Sequence, residues 1–447
     1  MSLTMKKLRR NGFISLNLNQ IPGEKPLQRR NTICMLGDSI TEFNLTVDAT
    51  QATYNPTGFF TWANLLLSSR LKLLNEVNGA GGVGGETLTQ MAARVQSDVV
   101  SYNPGWAIVL GGVNGSETAA EQKAALTTIY NACLNAGINV IAITYWENTT
   151  ASWTDARRAI WLDVNQWIRQ YCRENEGMFL VDGCSLVTDG AAMPAAGSPS
   201  THKTNWTDGV HPRPVFARAL GQEIANTITD FTPPLKDNVA SMMDRYAYSS
   251  DIKQLVDNPT MQQTITNPAA VAAGVAVGGG TVAAGYQTLL LTGSPTVVES
   301  LITDPSPEAV GNAQRLAITA DGTATANAAW MRFNPALAAR CAAGDTIYLE
   351  CYLKISGTFT AFRGVVLQLF SNTSVSGTKN VRIFSDNSND WEQSGFEGII
   401  RTPTITLPAG ETVNTVQPRF YVYFDNSSSD TVNIDISRVG VYKNKGT

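Results

Sequence analysis

Short, continuously apolar runs alternate with stretches of helical periodicity through the first half of this chain, and that alternation restricts its fold more than any other feature. Thr32–Leu36, Trp106–Leu110, Ile138–Thr144 and Met178–Val181 lack the polar residue at every second position that marks a half-exposed strand. Strands of this kind are buried on both faces, which calls for a parallel sheet covered by helices on each side. The intervening segments supply the helices. Gly58–Leu74 has helical composition, with Phe59, Phe60, Trp62, Leu65 and Leu66. Glu86–Val100 places Leu88, Met91, Ala92, Val95 and Val99 on one face. Ser116–Ala136 is stopped by Gly137, Thr154–Arg173 is amphipathic, and Pro214–Thr229 is the last helical segment. The expected fold class is α/β: a three-layer α/β/α domain over residues 31–231 with a parallel five-stranded, flavodoxin-like sheet.

The pattern changes after Phe231. Thr232-Pro233-Pro234 breaks the chain, and residues 232–285 read as a linker region. Beyond Tyr286 the period is two. Ile347, Leu349, Cys351, Leu353 and Ile355 alternate with Tyr348, Glu350, Tyr352 and Lys354, and similar alternation runs through Phe420–Phe424 and Val432–Ile436. Half-buried strands separated by Gly/Ser/Asn/Asp turns predict an all-β sandwich over residues 286–447.

Composition narrows the function. The chain has 447 residues, with 33 Lys plus Arg against 37 Asp plus Glu, a net charge of −4. A nucleic-acid binder would normally show a basic excess, so no nucleic-acid partner is expected. The two histidines, His202 and His211, rule out a multi-histidine metal site within one chain, and no metal is expected. Six cysteines form no C-x-x-C pair; Cys341 and Cys351 could bridge two strands, which the sequence leaves open. Residues 1–30 read as a basic arm: Lys6, Lys7, Arg9 and Arg10 resemble the start of a signal peptide, but the stretch that follows is too polar for its apolar core. Pro268–Tyr286 contains five glycines and no Leu, Ile or Phe, and reads as a linker or docking strand rather than a membrane span.

The chemistry gathers around a serine. The first strand runs into Gly37-Asp38-Ser39-Ile40-Thr41, where ligands bind in open parallel sheets. A hydroxyl becomes a useful nucleophile when a base takes its proton, and the base needs an orienting acceptor. Asp208-Gly209-Val210-His211, just before the last helix, offers both. Taken with two further segments, this pattern resembles the SGNH, or GDSL, hydrolase family. Gly37-Asp38-Ser39 matches its first block, and Asp208 with His211 matches its last. Gly79 to Thr87 supplies the glycine block, with Gly85 the best alignment and Gly81, Gly82 and Gly84 as other registers. Gly112-Val113-Asn114-Gly115 matches the G-x-N-D block except that Gly115 replaces its aspartate. The resemblance covers residues 31–231. It implies Ser39, Asp208 and His211 as catalytic residues, an oxyanion hole from Ser39, Gly85 and Asn114, and no cofactor.

Competing motifs are weaker. Gly79-x-Gly81-x-x-Gly84 lacks the acidic residue a dinucleotide site requires at the end of the next strand. There is no P-loop and no G-x-S-x-G elbow. His202 reads as a solvated loop residue, and Asp386–Asp390 as a turn lacking the glycine and glutamate of a calcium loop. Trp146, Trp153 and Trp206 fall in loops at the expected sheet edge, where aromatics could bind sugar faces or simply pack. The C-terminal sandwich resembles the jelly rolls of carbohydrate-binding modules, best at Val432–Tyr442, and Tyr348, Tyr352, Tyr421 and Tyr423 could form a sugar platform or face a partner subunit in a homo-oligomer. The expectation is therefore a serine ester hydrolase acting on an O-acetylated polysaccharide, extracellular or virion-associated, of phage-tail or bacterial surface-glycan type. The rivals are a lipase or thioesterase on longer acyl chains and a non-catalytic glycan-binding protein.

Overall fold

The computed structural model of the protein describes residues 31–146, 154–187, 208, 210–234, 252–256, 260–262, 264–266, 281–283, 286–292, 295–320, 327–333, 337–360, 362–384, 395–424 and 430–444. The basic arm, most of the Gly/Ala-rich stretch, Asp386–Asp390, His202, Trp153 and Trp206 lie outside these residues.

In chain order the first domain comprises β1 (Thr32–Gly37), α1 (Ser39–Glu42), β2 (Leu45–Val47), β3 (Gln51–Tyr54), α2 (Phe59–Leu66) and β4 (Lys72–Leu73). It continues with α3 (Leu88–Asp98), β5 (Trp106–Leu110), α4 (Ala119–Asn135), β6 (Asn139–Ile143), α5 (Asp155–Glu174), β7 (Met178–Val181), α6 (Gly183–Val187) and α7 (Pro214–Ile228). Five strands form a parallel sheet in the order β4-β1-β5-β6-β7. Ile33 to Leu36 are buried without exception, as the unbroken apolar run demands. Helix starts follow local chemistry. Thr87 and Thr118 each close a capping box, with Gln90 and Glu121, at the heads of α3 and α4. α2 packs on α7, where a side chain on Gly221 would come within 2.6 Å of Trp62 Cβ. The strand order reverses at β1, so the crevice beyond the carboxyl ends of β1 and β5 is where this architecture presents ligands to side chains.

The helical span predicted for Gly58–Leu74 is shorter in the structure. α2 ends at Leu66, Ser68 and Ser69 adopt φ of 54° and 51°, and the chain turns into β4. The Ser69 N–H closes this turn on the Asn64 carbonyl at 2.7 Å.

The C-terminal region forms two large, mostly antiparallel sheets. One runs Thr296–Thr303, Asn312–Thr319, Thr431–Asn444, Thr346–Gly357, Phe396–Arg401. The other runs Tyr286–Thr292, Asn327–Phe333, Val413–Phe424, Phe362–Thr373, Gly377–Ile383 and then continues into β3 and β2. The Gly377–Ile383 strand pairs with β3 in parallel, from Asn380 opposite Gln51 to Ile383 opposite Tyr54. Residues 45–54 thus extend a sheet of the second domain, although they lie in the chain within the first. Each strand is too short to show a period. The turn between them is made by Asp48, whose carboxylate accepts the Thr50 and Gln51 N–H groups at 2.6 and 2.9 Å.

Side chains close the seam. Trp62 and Phe384 pack at 5.0 Å between ring centres, Ser69 Oγ donates to the Ile399 carbonyl at 2.9 Å, and Arg382 donates to Gln51 Oε1 at 3.0 Å. A cavity of about 200 Å³ lies there among Leu67, Arg70, Tyr352 and Ile399, by the amino end of β1 and away from Ser39. All six cysteines are free thiols, so Cys341 and Cys351 are not bridged. Among the described residues, no helix is long and apolar enough to cross a membrane.

Candidate active site

β1 delivers the chain into the Gly-Asp-Ser turn. Gly37 must be glycine: a Cβ there would meet Thr41 Oγ1 at 2.0 Å and the Leu110 carbonyl at 2.6 Å. Asp38 caps α1, accepting the Ile40 N–H at 3.0 Å. Ser39 is the first residue of that helix, and its Oγ lies 2.8 Å from His211 Nε2. His211 Nδ1 lies 2.7 Å from Asp208 Oδ2. The other Asp208 oxygen accepts the Val210 and His211 N–H groups at 3.0 and 2.9 Å. The loop therefore folds on its own aspartate and presents the imidazole just ahead of α7. With Nδ1–H donated to Asp208, Nε2 is left as the acceptor for the serine hydroxyl.

The two neighbouring carboxylates differ in environment. Partial burial works against ionisation of Asp208, but the hydrogen bonds from His211 and Val210 outweigh it and bring its carboxyl down to about 2. Asp38 is fully buried, and burial pushes its carboxyl up to about 7 despite the Ile40 N–H and the proximity of His211. Asp208 is thus the ionised partner over the working range. Phe43, unnoticed in the sequence, packs its ring 4.5 Å from that of His211. It stands alone at the end of α1, where no periodicity marks it.

The glycine block lies against the Gly-Asp-Ser turn. Gly37 and Gly82 form a parallel bridge, and the Val83 N–H donates to the Gly37 carbonyl at 3.1 Å. A Cβ on Gly84 would sit 3.9 Å from Ser39 Cβ, whereas one on Gly85, with φ of +79°, would meet nothing within 4 Å. Asn114 follows β5, and its Nδ2 donates to the Glu86 carbonyl at 3.2 Å. Gly115, which stands where the resemblance expects aspartate, has φ of +75° and would bring a Cβ within 2.6 Å of Thr87 Cγ2. The loop is instead held from α5: Arg157 donates to the Gly115 carbonyl and, at 2.9 Å, to that of Val113, on either side of Asn114.

The aromatic expectations divide. Trp146 is 1% exposed and meets Phe216 edge-on at 4.9 Å; it packs in the core and offers no face to a ligand. Tyr348 and Tyr352 are also buried, contrary to the platform reading, and Tyr352 faces Leu67 and Arg70 of the first domain. Tyr348 stacks on Tyr442 at 5.2 Å beneath Arg401, and the Tyr352 hydroxyl donates to Glu397 at 2.6 Å. Tyr421 and Tyr423 are half-buried, with ring planes 14° apart. Among the described residues no group of three or more His, Cys, Asp or Glu is arranged to hold a metal ion.

Residues 35–219 match the GDSL-like Lipase/Acylhydrolase family. Among solved structures, the chain is similar to a GDSL-like lipase from Bacteroides thetaiotaomicron VPI-5482, at 17% identity over 46% of this chain and 92% of that one, TM-score 0.34. It is similar to Axe2, an acetylxylan esterase from Geobacillus stearothermophilus, at 17% identity over 46% and 95%, TM-score 0.33. A third, LAE5, an alpha/beta hydrolase enzyme from the metagenome of Lake Arreo, Spain, gives 20% identity over 45% and 94%, TM-score 0.33. Comparison with curated proteins gives no match. The family match, over residues 35–219, spans the Gly-Asp-Ser block and the Asp208–His211 loop, the two segments that carry the resemblance seen in the sequence.

Proposed function

We propose that the protein is a serine ester hydrolase that removes acetyl groups from a polysaccharide. The observation that carries this reading is the continuous contact from Ser39 Oγ to His211 Nε2, 2.8 Å, and from His211 Nδ1 to Asp208, 2.7 Å, at the carboxyl end of β1. Ser39 Oγ attacks the acyl carbon while His211 takes its proton. The tetrahedral intermediate collapses as the ester C–O bond breaks, and His211 returns the proton to the leaving alkoxide. Water then attacks the acyl-serine with His211 again as base, which releases the carboxylic acid and restores Ser39. Asp208 holds the ring tautomer and balances the charge of the imidazolium. The N–H groups of Ser39 and Gly85 and the Asn114 amide are the proposed oxyanion donors, each worth about 3 kcal/mol in the barrier.

The choice of a glycan ester rests on the second domain. Its sheet is joined to the segment that follows Ser39, and Tyr421 with Tyr423 presents two near-parallel rings of the kind sugars stack on. A phage-tail or surface-glycan setting fits that pairing of domains.

The test is acetate release from a panel of acetylated polysaccharides, with aryl acetate and aryl octanoate alongside and Ser39→Ala as control. The expected result is glycan-derived acetate that falls at least about 10³-fold in Ser39→Ala. Turnover of octanoate alone would move the substrate to longer acyl chains. Turnover indifferent to Ser39 would overturn the mechanism.

A further inference from the structure

Arg94, on α3, spends four of its five N–H donors around the nucleophile. Nε donates to Glu86 Oε2 at 2.7 Å, Nη1 to the Gly81 carbonyl at 3.0 Å and to Asp98 at 2.7 Å, and Nη2 to the Gly37 carbonyl at 2.8 Å. The guanidinium and the Glu86 carboxylate are 15% and 16% exposed, so water screens their pairing little.

The acceptors are distributed in a telling way. Gly81 and Glu86 are the two ends of the turn that contains Gly84 and Gly85. Gly37 lies two residues before Ser39. The Glu86 carbonyl accepts from Asn114 Nδ2, which leaves the second amide hydrogen for a ligand. A salt bridge serving stability alone would need only Glu86 and Asp98. The two carbonyl contacts add nothing to charge pairing, but they join the strand carrying the nucleophile to the turn carrying the glycine donor.

We infer that Arg94 is a positioning residue for the oxyanion side of the site: its planar fork holds the Gly-Asp-Ser turn, the 81–86 turn and, through Glu86, the Asn114 amide as one unit. The inference rests on the esterase reading above. Catalysis of this kind depends on donors fixed before the charge develops, and a displacement of about 1 Å can cost 10²-fold in rate. Lysine cannot reproduce the arrangement, because its ammonium is a point donor on a flexible stem.

The test uses the full chain as Arg94→Lys and Glu86→Gln, with aryl acetate kinetics, inhibition by an alkylboronic acid and thermal melting. The boronic acid adds reversibly to Ser39 Oγ and becomes a tetrahedral anion that occupies the oxyanion site. Arg94→Lys is expected to lower kcat about 10- to 100-fold with KM changed less than about threefold, and to weaken the boronate by a similar factor. Glu86→Gln, which keeps an acceptor but loses the charge, is expected to lose roughly three- to tenfold in both. A folded Arg94→Lys with kcat and boronate affinity within about twofold of wild type overturns the inference, as does a fall in kcat with boronate affinity unchanged. Should Arg94→Lys not fold, unchanged kcat and boronate affinity in Glu86→Gln overturns it. A wild-type protein whose boronate binding does not depend on Ser39 overturns the esterase reading and this inference together; Ser39-dependent binding with indifferent variants overturns this inference alone.

Discussion

The parallel sheet and the sheet that crosses the domain seam are assembled from the chain in opposite ways. The parallel sheet takes its five strands from residues 32–181, and successive strands lie beside or near one another through short helical crossovers. The seam sheet takes five strands from residues 286–424 and two from 45–54; Arg382 reaches a partner 331 positions away in Gln51. Closing so long a loop costs entropy that grows only logarithmically with its length, so the arrangement is affordable if the docking surface buries enough. Trp62, 2% exposed, and Phe384, 1% exposed, supply that burial. Along the chain Ser39 falls between strands of the two sheets, after β1 and shortly before β2. Asn44 ties the pieces: buried, it donates to the Thr41 carbonyl and accepts the Phe60 N–H, each at 2.7 Å. The Gly-Asp-Ser turn is thus preceded in the chain by a strand of one sheet and followed by a strand of the other.

Breaking the seam gives the largest expected effect. Trp62→Ala should cost about 3–5 kcal/mol, as for large buried aromatics generally, and calorimetry should show one transition moving as a whole. A lowered transition for the α/β domain beside an unmoved one for the β domain would mean the two fold independently.

A test on the parallel-sheet side is smaller and depends on pH. The Asp38 carboxyl is raised to about 7 in the folded protein from an ordinary 3.8. The folded state therefore holds its proton more tightly than the unfolded chain. Asp38 costs stability progressively as pH rises from about 4 to 7, and the cost levels off above that, at a few kcal/mol at most. Asn cannot titrate, so the stability of Asp38→Asn relative to wild type should rise across the same window. Urea midpoints at pH 4, 5.5 and 7.5 measure it, and a difference independent of pH would contradict the assignment.

The smallest effect concerns how the hairpin docks. Arg382 donates to Gln51 Oε1 and, at 3.3 Å, to Thr53 Oγ1. A double-mutant cycle between Arg382→Ala and Gln51→Ala should give a coupling of about 0.5–1 kcal/mol. No coupling would assign docking to the backbone pairing and the Trp62–Phe384 contact alone.

Much of the first domain was legible because its strands are buried on both faces and its helices on one. β5 and β7 coincide with their apolar runs, and β1 and β6 differ by one residue at their ends. The Ser39 and His211 pair was legible through its two short blocks, which the fold brings to 2.8 Å across 172 positions. β2, β3 and β4 were not, since two to four residues cannot display a period. In Thr346–Gly357 the alternation correctly marked a strand, yet nearly every residue from Ile347 to Ile355 is buried. Alternation reports that one face meets the strand's own core; it is silent on whether another domain will cover the second face, and so Tyr348 and Tyr352 were misread as exposed.

The sequence by itself determined the α/β order of the first domain, the β character of the second, and the residue types that can act as nucleophile, base and orienting acid, because burial periodicity and side-chain chemistry are local properties. Only the tertiary structure decided that a hairpin shortly after Ser39 completes a sheet of the other domain, that Trp146 is core, and that Arg94 and Arg157 grip the turns around the candidate site. Those arginines bind backbone carbonyls, and a carbonyl carries no residue identity for a sequence to display.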